Sequence, residues 1–492
     1  FGIDKNVWVQ DVQNRVFSTL GQPNWLAAYL NILLMIVLGK IAIHCSSTYL
    51  FIHLSNYLLL FVFYLCLLFT KSRSGFLGFT GGAFIFASSL FLTTSRKKRK
   101  KVFSLFLIPG LIILTLSLIV GTPFSSVVKE QGLGITSLDQ PNITPSSQIR
   151  KIVWQGALDL WKKYPVLGMG VETFAYSYYW VRPAEHNLTS EWDFLYNKAH
   201  NEYLNLAATT GSFGLISYLL IPAVYFIWII KKFRIIHSST HPLIPSSIYL
   251  ISFLSALISI LITNFFGFSV VVVGLWFFLL PALATLLFKT KEKEKKEKET
   301  NFYQTLGLAG VGILTLFFVY QIYAYWQADY YLAKGLNSEQ KGFYEESLGF
   351  LQKAVALRNR EALYYDKLSL TLASLAWVAD KQGNNQEAEM IIGQAVEASD
   401  QALKLSPYQL NYYRDRAKMF FVLSQINLDY LEESLAAMMA AIKLAPTDAK
   451  LYYNAGLMFA SLGKKEAGQE YLKKALELKP NYDQVQQFLK DN

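Results

Sequence analysis

Long apolar stretches alternate with short polar linkers over the first two thirds of the chain. Eight of these stretches approach the length of about 20 residues that a helix needs to cross a bilayer. They lie at roughly 25–43, 49–69, 75–93, 102–121, 211–230, 245–265, 268–288 and 302–325. The shortest ones, such as 75–93, have a pattern that a buried helix would also show. The pattern predicts an all-α fold, a polytopic transmembrane helical bundle.

One long polar segment, residues 122–208, interrupts this pattern between the fourth and fifth apolar stretches. Within it, residues 147–163 have helical spacing, and Ser146 or Ser147 is a candidate cap. The glycines of 168–170 follow a proline and predict a turn. We therefore expect a large loop, with one helix in it, on one side of the membrane.

The tail from about residue 329 contains a repeat. The sequences ALKLSP, AIKLAP and ALELKP begin at Ala402, Ala441 and Ala475, and a looser copy surrounds 354–357. The last two copies are separated by the tetratricopeptide period of about 34 residues. Residues 329–492 are therefore predicted to form a soluble tetratricopeptide-repeat (TPR) α-solenoid of three to four helical hairpins. Such a repeat does not identify its partner.

Composition agrees with a membrane domain, 1–325, followed by this soluble domain. Of the 492 residues, 53% are hydrophobic and only 16% are charged, against about 25% charged in soluble domains. Both cysteines, Cys45 and Cys66, lie in apolar stretches, which argues against a disulfide framework or a cysteine metal site. The sequence begins at Phe1 without a signal-peptide pattern. We expect that an N-terminal part precedes it.

The excess of positive over negative charge lies in three linkers. Residues 96–101, 231–234 and 289–299 together carry the whole net charge of +11. Basic residues in short loops between spans mark the cytoplasmic side, so a nucleic-acid surface is the weaker explanation. Counting helices from these linkers places residues 122–208 and the TPR domain on the extracytoplasmic side.

Lys71 and Arg73 do not follow this charge rule, because the same count puts their turn outside. A charged side chain inside the hydrocarbon is costly, about 2.5–3.5 kcal/mol for a fully inserted Arg. Two interpretations follow. Either both side chains lie at headgroup level, or they face an anionic substrate.

Several isolated groups of the loop are candidates for chemistry. Arg150 and Trp154 are four residues apart on the predicted helix, which fits a cation–π pair as well as a site. His200 precedes an apolar helix, either as a hydrogen-bonded interfacial residue or as a base. Glu202 suits the helix N-terminus. The aromatic run at 176–180 fits a membrane-interface belt or a sugar-stacking surface.

Motifs of common soluble enzymes are missing from the loop. It has no Gly-x-Ser-x-Gly, no His-Glu-x-x-His and no phosphate-binding glycine loop. Acidic and histidine side chains are not clustered at ligand spacing. The sequence therefore predicts neither a metal site nor a cofactor.

Taken together, four stretches resemble the O-antigen ligase and polymerase superfamily (Wzy/WaaL-like) of bacterial membrane glycosyltransferases. They are residues 15–24 (RVFSTLGQPN), residues 70–75 (TKSRSG), the Arg150/Trp154 helix continuing to Gly168–Gly170, and residues 199–205 (AHNEYLN) with 211–216. The likeness covers roughly residues 10–290, and its last stretch is the most specific. Family members usually have ten to twelve or more spans, whereas eight are predicted here.

The resemblance implies an enzyme that moves a glycan from undecaprenyl diphosphate to an acceptor hydroxyl, with inversion and without a metal. Under it His200 is the catalytic base, with Arg150 and Arg73 stabilising the diphosphate as the other catalytic residues. The expected substrate-binding residues are Arg15, Lys71, Trp154, Glu202 and Tyr203. The expected location is the bacterial cytoplasmic (inner) membrane, within cell-envelope or lipopolysaccharide biosynthesis.

Three acceptors remain open: lipid A core for a ligase, a second lipid-linked glycan for a polymerase, and a protein hydroxyl for an O-oligosaccharyltransferase. Because TPR domains commonly hold peptides or proteins, the tail mildly favours a protein acceptor or an assembly partner. The alternative outside enzymology is a membrane scaffold that presents the TPR domain.

Overall fold

The computed structural model describes residues 15–44, 50–94, 99–100, 104, 106–125, 144–194, 196–238, 245–287 and 302–491. Across these residues the chain forms α-helices and short 3-10 turns, and they contain no strand. The predicted all-α fold is confirmed. Cys45, most of the basic linker 96–101, the end of the linker 231–244, the linker 289–301 and the loop portion 126–143 lie outside the described residues.

The chain divides into two compact units. The first contains Phe1–Phe174 and Tyr196–Glu294, and the second contains Ala175–Leu195 and Lys295–Asn492. The helices up to residue 287 are α1 (Pro23–His44), α2 (Leu50–Phe69), α3 (Arg73–Thr93), α4 (Leu107–Val120), α5 (Ser146–Lys163), α6 (Phe174–Ser177), α7 (Glu202–Ser238), α8 (Pro245–Phe265) and α9 (Val271–Leu286).

Each of the eight predicted spans overlaps a helix. In the described part of the chain, six helices are long and apolar enough to cross a membrane: α1, α2, α3, α7, α8 and the first long helix of the second unit. Two more, α4 and α9, are apolar but shorter. Several long apolar helices therefore indicate a multi-pass membrane protein.

Helices α1 and α8 form the centre of the first unit. In each of them, 67% of the apolar stretch is buried. Helix α8 packs against α1 and α3, and its fully buried face contains Ser252, Ser255 and Ser259. Small side chains let membrane helices approach closely. The close packing places the ends of α1, α3 and α8 near one another.

Helix α5 begins one residue earlier than the sequence predicts, and the expected serine cap is wrong. Ser146 is the first helical residue, and no side chain caps the helix. The backbone carbonyl of Pro145 accepts from the amides of Gln148 and Ile149 instead. Pro145 is the residue before the helix, with φ −56° and ψ 131°, and its carbonyl accepts the first hydrogen bonds of the helix.

The second unit is a stack of helical hairpins. Its helices are α10 (Phe302–Gln340), α11 (Tyr344–Leu357), α12 (Ala362–Lys381), α13 (Asn385–Leu405), α14 (Leu410–Leu423), α15 (Tyr430–Leu444), α16 (Ala449–Ser461), α17 (Lys465–Leu478) and α18 (Asp483–Asp491). Successive pairs pack as antiparallel hairpins, which is the arrangement that the repeat predicts.

Helix α10 is continuous through the boundary that the sequence predicts at 325–329. Its apolar first part is fully exposed, whereas Ala328 and Gly335 are buried in the hairpin with α11. At the junction, the Arg358 guanidinium lies 3.5 Å from the ring centroid of Tyr325. The last predicted span and the first repeat helix are thus one element.

Candidate functional site

His200 lies near the end of the long polar loop, residues 122–208, in an unusual backbone conformation. Its φ is +53°, in the left-handed region that few residues other than glycine adopt. The next residue, Asn201, caps α7: its Oδ1 accepts from the amides of Tyr203 (3.0 Å) and Leu204 (3.1 Å). On the preceding side, the amide of Ala199 donates to Asn205 Oδ1. These two buried asparagines fix the backbone on both sides of His200.

The imidazole of His200 is half-buried among aromatic rings. It makes edge contacts with Tyr196 and Phe268, at centroid distances of 5.8 and 5.4 Å. Burial, together with the positive charge of Arg150, lowers the pKa of His200 to about 4. Loss of solvation disfavours the charged imidazolium, and a nearby cation disfavours it further. At neutral pH the ring is therefore neutral and able to accept a proton.

His200 lines a cleft together with residues from the ends of α1, α3, α8 and α9. The cleft is small, with a cavity volume of about 20 Å³, and it opens to solvent. Its lining is Gln22, Asn24, Trp25, Ala28, Ser74, His200, Thr263, Asn264, Phe266, Gly267, Phe268 and Val273. Polar and apolar side chains share this lining, and the polar groups that converge on the cleft make it the candidate site.

A hydrogen-bond network connects the N-terminal stretch to the turn before α3. Arg15 Nε donates to the carbonyl of Thr70 (2.9 Å), and its Nη2 donates to Asn24 Oδ1 (3.3 Å). Ser72 Oγ also donates to Asn24 Oδ1, at 2.7 Å, and lies 3.2 Å from Ser74 Oγ. Arg15 therefore acts first as a structural residue that holds one wall of the cleft.

The basic pair of this turn lies on its surface. Lys71 and Arg73 are exposed, and Lys71 has a φ of +49°. The side chains between and after them, Ser72 and Ser74, are buried. Of the described residues in this turn, Ser74 and not Arg73 lines the cleft. Arg73 is the first residue of α3 and the immediate neighbour of Ser74.

Trp154 and Tyr203 lie near each other on either side of Phe265. The Trp154 ring meets Phe265 at 5.8 Å, and its buried Nε1 has no hydrogen-bond acceptor in the part of the chain that is described. Tyr203 donates its hydroxyl proton to the carbonyl of Leu261 (2.8 Å) and also contacts Phe265. The indole N–H of Trp154 is thus a donor without an acceptor among the described residues. The hydroxyl of Tyr203 is already used in its bond to Leu261.

Glu202 is the first residue of α7, where a carboxylate is favoured by the helix dipole. The capping oxygen belongs to Asn201, however, and not to Glu202. Glu202 is half-buried, and within the described residues its Oε2 accepts no hydrogen bond. The charges around it include Lys198 and Glu172.

Backbone hydrogen bonds join the turn at Gly168–Gly170 to α7, next to a break in that helix. The predicted turn at Gly168–Gly170 is confirmed by the positive φ of both glycines. The amides of Met169 and Gly170 donate to the carbonyls of Ala208 and Thr209, at 3.0 and 2.8 Å. Helix α7 breaks at Gly211, with φ +67° and ψ −170°. A Cβ on Gly211 would lie 2.2 Å from the carbonyl oxygen of Val166.

The structure therefore places His200, Arg150 and the wall of the cleft that Arg15 holds in the same compact unit. It also adds residues that the sequence did not single out. Asn201 could have been found, because an asparagine directly before an apolar helix is a cap signal. No sequence pattern marks Asn264 and Phe268 as site residues, because they lie at the junction of two apolar spans. Among the described residues, no three His, Cys, Asp or Glu side chains are close enough to hold one metal ion.

The fold defines the protein first as a multi-pass, all-α membrane protein with a helical-repeat domain. Comparison with protein families adds that residues 58–219 match the model described as O-antigen ligase, and residues 449–482 match that of a tetratricopeptide repeat. The resemblance found in the sequence is confirmed over these residues. The first match runs from α2 into α7 and contains Lys71, Arg73, Arg150, Trp154, His200, Glu202 and Tyr203.

Similar solved structures include PilF of Pseudomonas aeruginosa, which is 21% identical with a TM-score of 0.26 and covers 32% of this chain. The chain spans 64% of PilF's length. Another is YrrB, a TPR protein with an unusual peptide-binding site, which is 20% identical with a TM-score of 0.16. That alignment covers 32% of this chain and 90% of YrrB. No curated protein matches the chain.

Proposed function

We propose that the protein transfers a glycan from undecaprenyl diphosphate to an acceptor hydroxyl on the extracytoplasmic side of a bacterial cytoplasmic membrane, with His200 as the general base. The observation that carries this proposal is the state of His200. Its imidazole is neutral and lines a polar cleft, on a backbone conformation that is costly to maintain. Such strain is found mainly at functional sites. The O-antigen ligase match over residues 58–219 supports the reaction class.

The reaction needs a base on one face of the sugar and a stabilised leaving group on the other. His200 takes the proton of the acceptor hydroxyl as the oxygen forms a bond to the anomeric carbon. The bond from that carbon to the diphosphate oxygen breaks, and its electron pair leaves with the diphosphate. Because attack and departure occur on opposite faces, the configuration inverts. A diphosphate leaves without a general acid, so one base is enough.

Arg150 is the cation best placed to bind the diphosphate near His200. Guanidinium groups bind phosphate oxygens through paired, charge-assisted hydrogen bonds. When the anionic donor binds, its charge offsets that of Arg150, so the pKa of His200 rises towards its ordinary value of 6.5. The imidazole is then a stronger base only in the loaded enzyme.

Arg73 and Lys71 are proposed to bind the same anion from the exposed turn before α3, next to Ser74. Arg15 contributes by holding this turn through Thr70 and Asn24. The unused indole N–H of Trp154 is proposed as a further donor to the substrate.

Substitution of His200 tests the base. Asn tolerates the left-handed conformation, so His200→Asn removes the imidazole while keeping the backbone. In membranes that contain the host's undecaprenyl-diphosphate glycan, we expect His200→Asn to lower the transfer rate by about 10²–10⁴-fold at unchanged abundance. His53→Asn on α2 is the control and should transfer normally. Full transfer by His200→Asn would exclude the base assignment, and an equal loss of abundance would indicate a structural histidine.

The same reaction with the donor alone, without a second acceptor, distinguishes a polymerase from the other two classes. A polymerase lengthens the lipid-linked glycan without any second acceptor, whereas a ligase or a protein O-oligosaccharyltransferase does not. A membrane scaffold would show no transfer under any of these conditions.

A further inference from the structure

Part of the long polar loop packs within the repeat unit. We call residues 175–194 the docked segment, because this stretch belongs to the same compact unit as α10–α18. Its own structure is compact: Arg182 Nη2 donates to Asn187 Oδ1 (3.2 Å) and to the carbonyl of Trp192. Tyr178 and His186 share a hydrogen bond of 2.8 Å. Burial is the main cause that lowers the pKa of His186 to about 4.

The docked segment follows three equivalent turns of the repeats. These turns join α13 to α14, α15 to α16 and α17 to α18, and they contain the prolines of the three sequence copies. Trp180 contacts Tyr408 of the first turn at 5.8 Å. Arg182 pairs with Asp448 of the second turn at 3.8 Å, and Trp192 contacts Tyr482 of the third at 5.3 Å. The order along the segment is the order along the repeats.

Hydrogen bonds connect the segment to the second and third turns. Asn187 Nδ2 donates to the carbonyl of Thr447 (2.7 Å), and Thr447 Oγ1 donates to the carbonyl of Arg182 (2.7 Å). Lys479 Nζ donates to the carbonyl of Asn187 (2.9 Å). Asn187 is fully buried, so these groups depend on the repeats to replace water.

Charge and apolar contacts complete the interface. Arg182 and Asp448 form an ion pair with both side chains at least 96% buried. At the edge, Asp193 pairs with Lys450 and Arg414. The ring of Tyr179 joins the apolar core of the repeats. Loss of one partner from a buried ion pair is strongly destabilising. The contact between Arg182 and Asp448 is therefore specific and not incidental.

We propose that the docked segment is the resident ligand of the repeat domain, and that the repeat domain thereby holds in place the loop that ends in His200. His200 follows the docked segment by only six residues in the chain. The first half of this inference is independent of the reaction. The second half rests on the proposed function of His200.

Hydrogen–deuterium exchange of the full-length protein tests the docking. Asp448→Asn removes the charge opposite Arg182 and keeps an oxygen to cap α16, as Asp448 Oδ1 does for the amide of Lys450. Trp192→Ala acts from the loop side and leaves the repeats' own side chains unchanged. Both variants should accelerate amide exchange in residues 178–192 by about tenfold or more, while α12 and α13 keep their protection.

Two matched controls separate docking from general effects of charge or aromatic loss. Asp400→Asn removes an exposed carboxylate on α13, and Trp377→Ala removes a half-exposed indole on α12. Neither should alter exchange in the docked segment. Unchanged exchange in both Asp448→Asn and Trp192→Ala would overturn the proposal.

Glycan transfer by the same four variants tests the second half. We expect Asp448→Asn and Trp192→Ala to lower transfer at least about tenfold, in step with their faster exchange, and the two controls to transfer normally. Faster exchange with unchanged transfer would overturn the holding role. Normal transfer by His200→Asn would instead overturn the proposed function, and the exchange result would still decide the docking.

Discussion

His200 combines a strained backbone with an uncharged ring. A non-glycine residue in a sparsely populated backbone region costs of order 1–3 kcal/mol. The asparagine cap at residue 201 offsets about 1 kcal/mol of this cost, and the fully buried Ala199 keeps the chain in place. In this backbone conformation, the imidazole lines the cleft instead of continuing the helix face.

The lowered pKa of His200 makes the stability of the folded protein depend on pH. Its value in the folded protein is about 4, below the ordinary 6.5, so the unfolded chain binds a proton that the folded one does not between these values. The contribution of His200 to stability is therefore fully present above about pH 6.5 and is lost as the pH falls towards 4. In the folded free enzyme, the neutral fraction of His200 falls only as the pH approaches its folded pKa of about 4.

The pH dependence of transfer should report these charges. For kcat/KM, which reflects the free enzyme, we expect an acid limb between about pH 4 and 5, and for kcat a limb at higher pH. Arg150→Gln should move the kcat/KM limb upward, because the cation helps to lower the pKa of His200. The exposed neighbour Lys151→Gln is the control. A kcat/KM limb near 6.5 in the unmodified enzyme would contradict this account.

At the residue scale, the sequence pointed to His200 as the proposed base and to Arg150 as its neighbouring cation, but not to their surroundings. His200 and Arg150 stood out because few polar groups border the spans. Arg73 was predicted beside them, and it lies on the exposed side of its turn, with Ser74 facing the cleft. Which face a helix start presents depends on packing between α1, α3 and α8, and local sequence does not encode that.

Among the elements, the break in α7 matters most for the site. The loop's helix α5 and the first turns of α7 are held together by the hydrogen bonds around Gly168 and Gly211. On the same pair of helices, Trp161 Nε1 donates to Ser212 Oγ at 3.0 Å. Since Arg150 lies on α5 and His200 directly precedes α7, this junction sets the distance between them.

Gly211→Ala should disrupt this junction. The conformation of Gly211 is essentially restricted to glycine, and the added Cβ would lie within 2.6 Å of three backbone atoms. We expect a loss of more than about 2 kcal/mol in unfolding free energy, seen as a lower Tm in detergent. Gly274→Ala in α9 is the control, with nothing within 4 Å of its Cβ, and it should be neutral or slightly stabilising. Equal Tm values would refute the role of Gly211.

The elements themselves were largely predictable. Apolar length predicted the spans, and the period of the repeats predicted the hairpins of the tail. The fifth span was expected to start at Gly211, whereas α7 starts at Glu202, because its first turns are polar enough to resemble loop. The sequence did not predict the continuity of α10 either. Its composition changes from apolar to polar near residue 325, which suggests a boundary, although the helix continues to Gln340.

For the whole molecule, the orientation in the membrane is the property that all functional proposals share. It rests on the positive charge of the linkers at 96–101, 231–234 and 289–299. On this basis we propose that the loop at 122–208 and the repeats lie on the extracytoplasmic side. A donor attached to a membrane lipid would then be presented to His200 from the same leaflet.

Cysteine labelling tests this orientation. In a background with Cys45 and Cys66 replaced by Ser, we expect Glu432→Cys on the repeats to react with a membrane-impermeant maleimide in spheroplasts. Lys232→Cys, in the basic linker at the end of the fifth predicted span, should react only after the membrane is permeabilised. Both sites are at least partly exposed, so burial does not limit the reaction. The reverse pattern would refute the positive-inside assignment.

The row of three turns under the docked segment limits how the repeat domain can change in length. In most solenoids each repeat contacts only its neighbours, so repeats can be gained or lost without affecting distant parts. Here Trp180, Arg182 and Trp192 meet three successive turns in a fixed order. Removing one repeat of about 34 residues would preserve the stacking but leave one of these side chains without its turn. The number of repeats is therefore matched to the spacing of side chains in the loop, and the two can change only together.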